Sequence, residues 1–287
     1  MTDKKTVSET LHKGVRVTFE ADEVLYEEAT GHHRLSLIGN RLFGKLLMLD
    51  GAVQVTSADE FMYHEMMAHV PLAAHADPSR VLIIGGGDCG LAEEVLKHER
   101  VKSLTQIEID ASVVEFSREH FSEFNAPVFS DDRFRVEIAD GAAFAADTSE
   151  RFDVILVDST DPSGPGAVLF THEFYTNIRR ILRPGGILVT QNGVPFLQPR
   201  EFQAAMASLS NVFSVSSCYL VAVPTYFGGH MTLGWSSDDR ASLDIDEAIL
   251  AERSKDIETR YYTPAVHKAA FALPRFIETL RAEAVRA

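Results

Sequence analysis

The chain has 287 residues, 45% of them hydrophobic and 24% charged, enough to bury one large core or two modest ones. Its 27 Lys and Arg stand against 42 Asp and Glu, and the formal net charge of −15 argues against nucleic acid or an anionic membrane as a partner. Apolar runs such as Val154–Val157 are too short to cross a bilayer, Met1–Lys5 leads into polar sequence, and only Cys89 and Cys218 occur; a reducing cytoplasm is the expectation.

In chain order, short apolar or alternating runs come first, at Val15–Phe19, Arg34–Ile38, Lys45–Leu49 and Val53–Thr56. Turn signals at Thr30-Gly31, Gly39-Asn40 and Asp50-Gly51 separate them, which predicts antiparallel β-structure. A helical pattern begins at Asp59 and runs to Pro71-Leu72, with Ser57 and Asp59 as expected caps. From Arg80 the texture becomes strand–helix alternation. Val81–Ile84, Leu104–Ile107, Phe134–Ile138, Val154–Val157 and Ile187–Thr190 read as strands, and 91–98, 111–120 and 171–182 as helices. Arg183-Pro184-Gly185-Gly186 reads as a helix stop and turn. Val215–Val223 and Met231–Trp235 suit a closing antiparallel hairpin, and helical patterns follow near 246–258 and 265–283. The expected architecture is α/β: a Rossmann-like, doubly wound, mostly parallel sheet with a helical extension in 78–287, preceded by a small antiparallel β domain and linking helix in 1–77.

The segment Val81-Leu82-Ile83-Ile84-Gly85-Gly86-Gly87-Asp88-Cys89-Gly90 is the strand, glycine turn and helix start that opens a nucleotide-binding crevice. Asp88 is out of place there for a pyrophosphate, or for the carboxylate of S-adenosylmethionine. It suits a ligand that brings a cation. Glu108 follows 20 residues later, the spacing of a ribose ligand. Asp140-Gly141 and Asp158 follow the next two predicted strands, so four acidic residues stand in register along one sheet edge. A single acidic strand end is as easily a helix cap; four together point to a site. Asp158 and Asp161 lie three apart and repel unless a cation sits between them. An alkyl diamine supplies one, and a carboxylate at the point of attack can take the proton that a nucleophilic amine must lose.

Asp59-Glu60-Phe61-Met62-Tyr63-His64-Glu65-Met66-Met67, the Gly85–Gly90 loop, Asp158–Pro165 and Pro224-Thr225-Tyr226-Phe227-Gly228-Gly229 together resemble the spermidine synthases, the bacterial polyamine aminopropyltransferases, over nearly the whole chain. The resemblance implies a methyltransferase-like catalytic fold and transfer of an aminopropyl group from decarboxylated S-adenosylmethionine to putrescine or a similar diamine. That compound is a co-substrate; no tightly bound cofactor or metal is implied. The assembly implied is a homodimer or homotetramer. Residue by residue, Asp158 matches the catalytic aspartate. His33, Gln54, Asp88, Glu108, Asp140, Gly141 and Pro165 match positions that contact the co-substrate. Tyr63, His64, Asp88, Asp158, Ser159, Thr160, Asp161 and Tyr226 match positions along the aminopropyl and polyamine channel. The chain departs from the family pattern at His33, where Gln is usual, at Cys89, where Gly is usual, and at Glu93 and Val7, where Arg and Trp are common.

Other readings compete with this one. A methyltransferase acting on a small amine would use the same crevice, but Asp88 and the Asp158–Asp161 pair argue against it. A catalytically silent polyamine-binding relative is opposed by the retained Asp158, Tyr63 and Tyr226. His64 and His69 are five apart, so their side chains point about 140° apart on a helix and do not make a metal pair. Cys89, with acidic neighbours, reads as a small core residue rather than a nucleophile.

Overall fold

The computed structural model describes residues 5–29, 34–161 and 164–286. Six strands come first: β1 (Lys5–Glu9), β2 (Val17–Ala21), β3 (Glu23–Ala29), β4 (Arg34–Asn40), β5 (Gly44–Leu49) and β6 (Ala52–Thr56). β1 pairs with β2, and β3 to β6 form an antiparallel meander in sequence order. The run Leu46-Leu47-Met48-Leu49 is continuously apolar because β5 is covered on both faces. Leu46 and Met48 meet Phe19 and Ala21 of β2, while Leu47 and Leu49 turn to Phe116 and Phe121. Burying each such side chain contributes about 1.5–3 kcal/mol.

The remaining elements are α1 (Glu60–Ala74), β7 (Arg80–Gly85), α2 (Gly90–Leu96), β8 (Ser103–Glu108), α3 (Ala111–His120), α4 (Ser122–Asn125), β9 (Phe134–Ile138), α5 (Gly141–Asp147), β10 (Phe152–Asp158), α6 (His172–Ile181), β11 (Leu182–Gln191), α7 (Pro199–Val212), β12 (Val215–Val221), β13 (Met231–Ser237), α8 (Glu247–Ser254), α9 (Pro264–Ala270) and α10 (Arg275–Arg286). Seven strands form one sheet in the order β12-β13-β11-β10-β7-β8-β9. β7 to β11 run parallel, and β13 and β12 close the edge antiparallel. The chain moves outward from β7 through β8 to β9, then returns to place β10 on the other side of β7. That reversal opens a crevice at the carboxyl ends of β7 and β10, where such sheets bind ligands.

The helices cover both faces of this sheet. α6 shows why: Phe174, Tyr175, Ile178 and Ile181 make one buried stripe, and the Thr171 side chain accepts the Phe174 N–H at its start. α1 is buried all round, so its polar residues need partners. Glu65, 1% exposed, accepts three backbone N–H bonds, from Arg260, Tyr261 and Tyr262 at 2.7, 2.8 and 2.7 Å, and so fastens the C-terminal segment to the core.

Several local expectations change. Asp59 precedes α1 but makes no side-chain cap; its carboxylate instead accepts from Thr56 Oγ1 and from the N–H and hydroxyl of Thr225, a stronger use for a buried charge. Ser57 accepts the Lys45 N–H rather than capping the helix. β1 and β3 have no counterpart in the expected strands, since their glutamates and exposed positions mask any alternation. The single helical pattern at 265–283 divides into α9 and α10 around Pro274, which cannot donate a helical N–H. Pro184-Gly185-Gly186 lies within β11 as an irregularity: the two steps on β10 from Phe152 to Val154 face the stretch from Leu182 to Ile187 on β11, and Gly185 has φ +78°. The turn signal at Thr30-Gly31 lies outside the described residues.

Candidate active site

Four strand ends deliver acidic residues to the crevice: Asp88 after β7, Glu108 ending β8, Asp140 after β9 and Asp158 ending β10. They line a cavity of about 530 Å³, within the range for small-molecule sites. Gln54, Tyr63, His64, Gly141, Ser159, Thr160, Asp161 and Tyr226 line it too. His33 lies outside the described residues. Pro165 belongs to the 3-10 turn Gly164–Phe170, and its side chain lies outside the described set.

The glycine turn brings β7 against β10. Gly86 N–H donates to Asp158 O at 3.0 Å, and a side chain on Gly85, whose φ is +88°, would come within 2.0 Å of that oxygen. Gln106, a buried polar residue on β8, ties the loop from beneath by donating to the carbonyls of Gly85 and Gly86 at 3.0 and 2.6 Å. Cys89 stands at φ +62°, a left-handed conformation that costs any residue but glycine about 1–2 kcal/mol. This explains the usual glycine there. Its thiol is fully buried in the core, and burial pushes its pKa up, away from nucleophilic use. Glu93 does not line the cavity; it lies 3.1 Å from Lys97 Nζ on α2.

Asp158 sits at the centre. Tyr63 donates its hydroxyl to Oδ1 at 2.7 Å, and the Tyr226 ring lies edge-on to Tyr63 with centroids 5.7 Å apart. Tyr226 donates in turn to Gln54 O at 2.6 Å, joining the wall from the N-terminal strands to the wall from the loop after β12. Burial, and then the charge of Asp88, raise the Asp158 pKa to about 6; the charge of His64 and the Tyr63 bond pull the other way. Burial also raises Asp88, against the His64 charge and the Gly90 N–H it accepts at 2.7 Å. Both phenols are held well above the usual range by burial and by the neighbouring carboxylates.

The other positions divide by chemistry. Glu108 is held by the Asp110 N–H on Oε1 at 3.0 Å, and burial raises its pKa. Asp140 is a helix cap, its Oδ1 accepting from the N–H groups of Ala142 and Ala143, as a single acidic residue after a strand commonly does. Asp161 accepts from Gln191 Nε2 at 3.3 Å. Ser159 Oγ is buried with no hydrogen-bond partner among the described residues. His64 and His69 point to different neighbours, His64 to Glu60 and Asp88, His69 to His98 and Glu94.

Three contributors escape sequence reading. Glu60 holds His64 Nδ1 at 2.9 Å, a one-turn helix pair that i,i+4 spacing could have suggested. Gln191 and Glu9 also line the cavity, Glu9 from β1 with Oε1 accepting the Val53 N–H at 2.8 Å; nothing local marks either. No Lys or Arg lines the cavity among the described residues. A dense set of carboxylates with no Lys or Arg among them suits a ligand carrying several positive charges.

Known proteins resemble this chain in sequence and fold. The family model described as the spermine/spermidine synthase domain matches residues 60–247, and that of the spermidine synthase tetramerisation domain matches residues 6–57. The polyamine aminopropyltransferase of Escherichia fergusonii is 48% identical over 280 residues, 97% of each chain. That of a Ruegeria species is 47% identical over 282 residues, 98% of this chain and 99% of the relative. Among solved structures, spermidine synthase in complex with the transition state analogue AdoDATO superposes with a TM-score of 0.92 at 35% identity, covering 97% of this chain and 95% of that one. Spermidine synthase from Thermotoga maritima gives 0.89 at 33% identity, covering 97% and 94%.

Proposed function

Because the chain belongs to the spermine and spermidine synthase family of polyamine aminopropyltransferases, we propose that it transfers the aminopropyl group of decarboxylated S-adenosylmethionine to putrescine, giving spermidine and methylthioadenosine. The observation that carries this choice of substrates is Asp88, a half-buried carboxylate inside the glycine turn, beside Asp158 in a cavity lined by no Lys or Arg among the described residues. A carboxylate at that point repels the carboxyl group of intact S-adenosylmethionine and attracts the lone ammonium of the decarboxylated form.

In this reading Glu108 receives the ribose hydroxyls, and Asp140 with Gly141 the adenine. Gln54, His33 and Pro165 complete the co-substrate contacts. Asp88 and His64 meet the aminopropyl end. Ser159, Thr160 and Asp161 hold the diamine, with Tyr63 and Tyr226 as apolar walls that keep their hydroxyls protonated. Asp158 takes a proton from the attacking ammonium. With a pKa of about 6 it is mostly ionised at neutral pH and ready to accept. The free amine displaces sulfur at the aminopropyl carbon, and the positive charge moves from sulfonium to the new secondary ammonium beside Asp158 and Asp161. Both substrates come and go, so no tightly bound cofactor is needed. The strands before Thr56 serve assembly into a homodimer or homotetramer, with the catalytic unit from about residue 78 onward, in a cytoplasmic setting.

Thermal shift tests the choice of co-substrate. Decarboxylated S-adenosylmethionine at 100 times its Kd should add about 2.7 kcal/mol of stability. Intact S-adenosylmethionine at the same concentration should add far less, and Asp88→Asn should narrow the difference. Equal stabilisation of the unaltered protein by both compounds contradicts the assignment.

A further inference from the structure

Asp88 is not an open acceptor in this structure. Its Oδ1 takes the Gly90 N–H and faces His64 Nε2 at 3.6 Å. The imidazole cannot back away, being 2% exposed and held at Nδ1 by Glu60 Oε2. Its ring packs edge-on to Tyr63, 5.6 Å between centroids, and lies 6.3 Å from the Phe124 ring of α4. At the start of α2, a carbon added to Gly90 would come within 2.4 Å of His64 Cε1, so the helix fits the ring closely. Three carboxylates surround it: Glu60 from its own helix, Asp88 from the loop after β7 and Asp158 from the end of β10. A charged His64 is thus a resident cation beside the carboxylate that a ligand ammonium needs.

We propose that His64 is an imidazolium in the empty site and surrenders its Nε2 proton when the ammonium of the aminopropyl donor takes its place at Asp88. The proposal rests on the aminopropyl reading above and adds a proton to its binding step. The N–H bond at Nε2 breaks and the proton passes to solvent. Nδ1–H stays donated to Glu60, and the incoming ammonium replaces the lost charge, leaving the site's net charge unchanged. Burial alone would lower the His64 pKa, but the charges of Asp88, Glu60 and Asp158 outweigh it and hold it at about 10. Two buried cations at one carboxylate repel, so the weaker acid–base partner yields. A primary ammonium, with a lysine-like pKa near ~10.4, is the weaker acid of the two and keeps its proton while the imidazolium yields.

The test is the affinity of the intact enzyme for decarboxylated S-adenosylmethionine and for methylthioadenosine between pH 7 and 9, by calorimetry in buffers of different ionisation heat. The two share the adenosine and sulfur, and only the first carries an ammonium. Linkage predicts release of about one proton per donor bound and up to tenfold tighter binding per pH unit, with a flat profile for methylthioadenosine. His64→Gln should bind the donor without proton release and without the slope. Nitrogen chemical shifts of His64 in the unaltered protein give the same answer directly, imidazolium when empty and neutral when the donor is bound. Donor binding with no proton release, or an imidazolium that persists in the complex, overturns the proposal and leaves the aminopropyl reading standing. Failure of the donor to bind at any pH overturns both.

Discussion

Tyr63 and Asp158, 95 positions apart in sequence, meet in a hydrogen bond of 2.7 Å with the phenol donating. The bond favours the charged carboxylate, so it works against the burial and the Asp88 charge that push Asp158 to about 6. Removing the donor in Tyr63→Phe should raise that pKa. A hydrogen bond to a charged group is worth about 1.5–3 kcal/mol, and one pKa unit about 1.4. The acid limb of the kcat/KM profile, expected near pH 6, should therefore move up by roughly one to two units. An unshifted limb would mean that Asp158 does not set it.

Asp158→Asn removes the base outright. Turnover should fall by about 10²–10⁴, the usual worth of a positioned base, while the Kd for methylthioadenosine changes little. Partial recovery at high pH should follow as free amine accumulates. Near-normal turnover at pH 7 would assign the proton to another group.

The strand ends are where the sequence is most informative. Asp88, Glu108 and Asp158 follow or end short buried runs, Asp140 follows the alternating and more exposed β9, and parallel topology places all four at one edge, so the site outline needs no tertiary detail. The environment is a different matter. The Asp140 cap and the Glu60–His64 pair are local, but how Asp88 comes to His64 and how Asp59 reaches Thr225 across 166 positions depend on packing between distant segments. β1 and β3 are likewise hidden, because β1 is mostly polar and β3 is rich in exposed glutamate, so neither carries a clear apolar alternation. Cys89 is a middle case: the family pattern marks it as unusual, and only its positive φ supplies the reason.

That strain can be measured. Cys89→Gly relieves the left-handed conformation, whereas Cys89→Ala keeps it; both lose the buried sulfur. The glycine variant should be the more stable of the two by about 1 kcal/mol, or roughly 2 °C in thermal melts. The opposite order would place the cost elsewhere.

Glu65 is the strongest structural prediction away from the cleft. With Glu65→Ala the N–H groups of Arg260, Tyr261 and Tyr262 lose their acceptor, and the loss should be about 3 kcal/mol or more. Proteolysis should then begin in the C-terminal segment after α8. A variant that melts within a degree of the parent would show that water replaces the carboxylate freely.

The central claim is the identity of the group transferred, and product analysis tests it most directly. The enzyme would be incubated with putrescine and, separately, with decarboxylated and intact S-adenosylmethionine, and the sulfur and amine products identified by mass. The account predicts methylthioadenosine and spermidine in equal amounts from the decarboxylated donor and no turnover of the intact one. Release of S-adenosylhomocysteine with a methylated amine would contradict it.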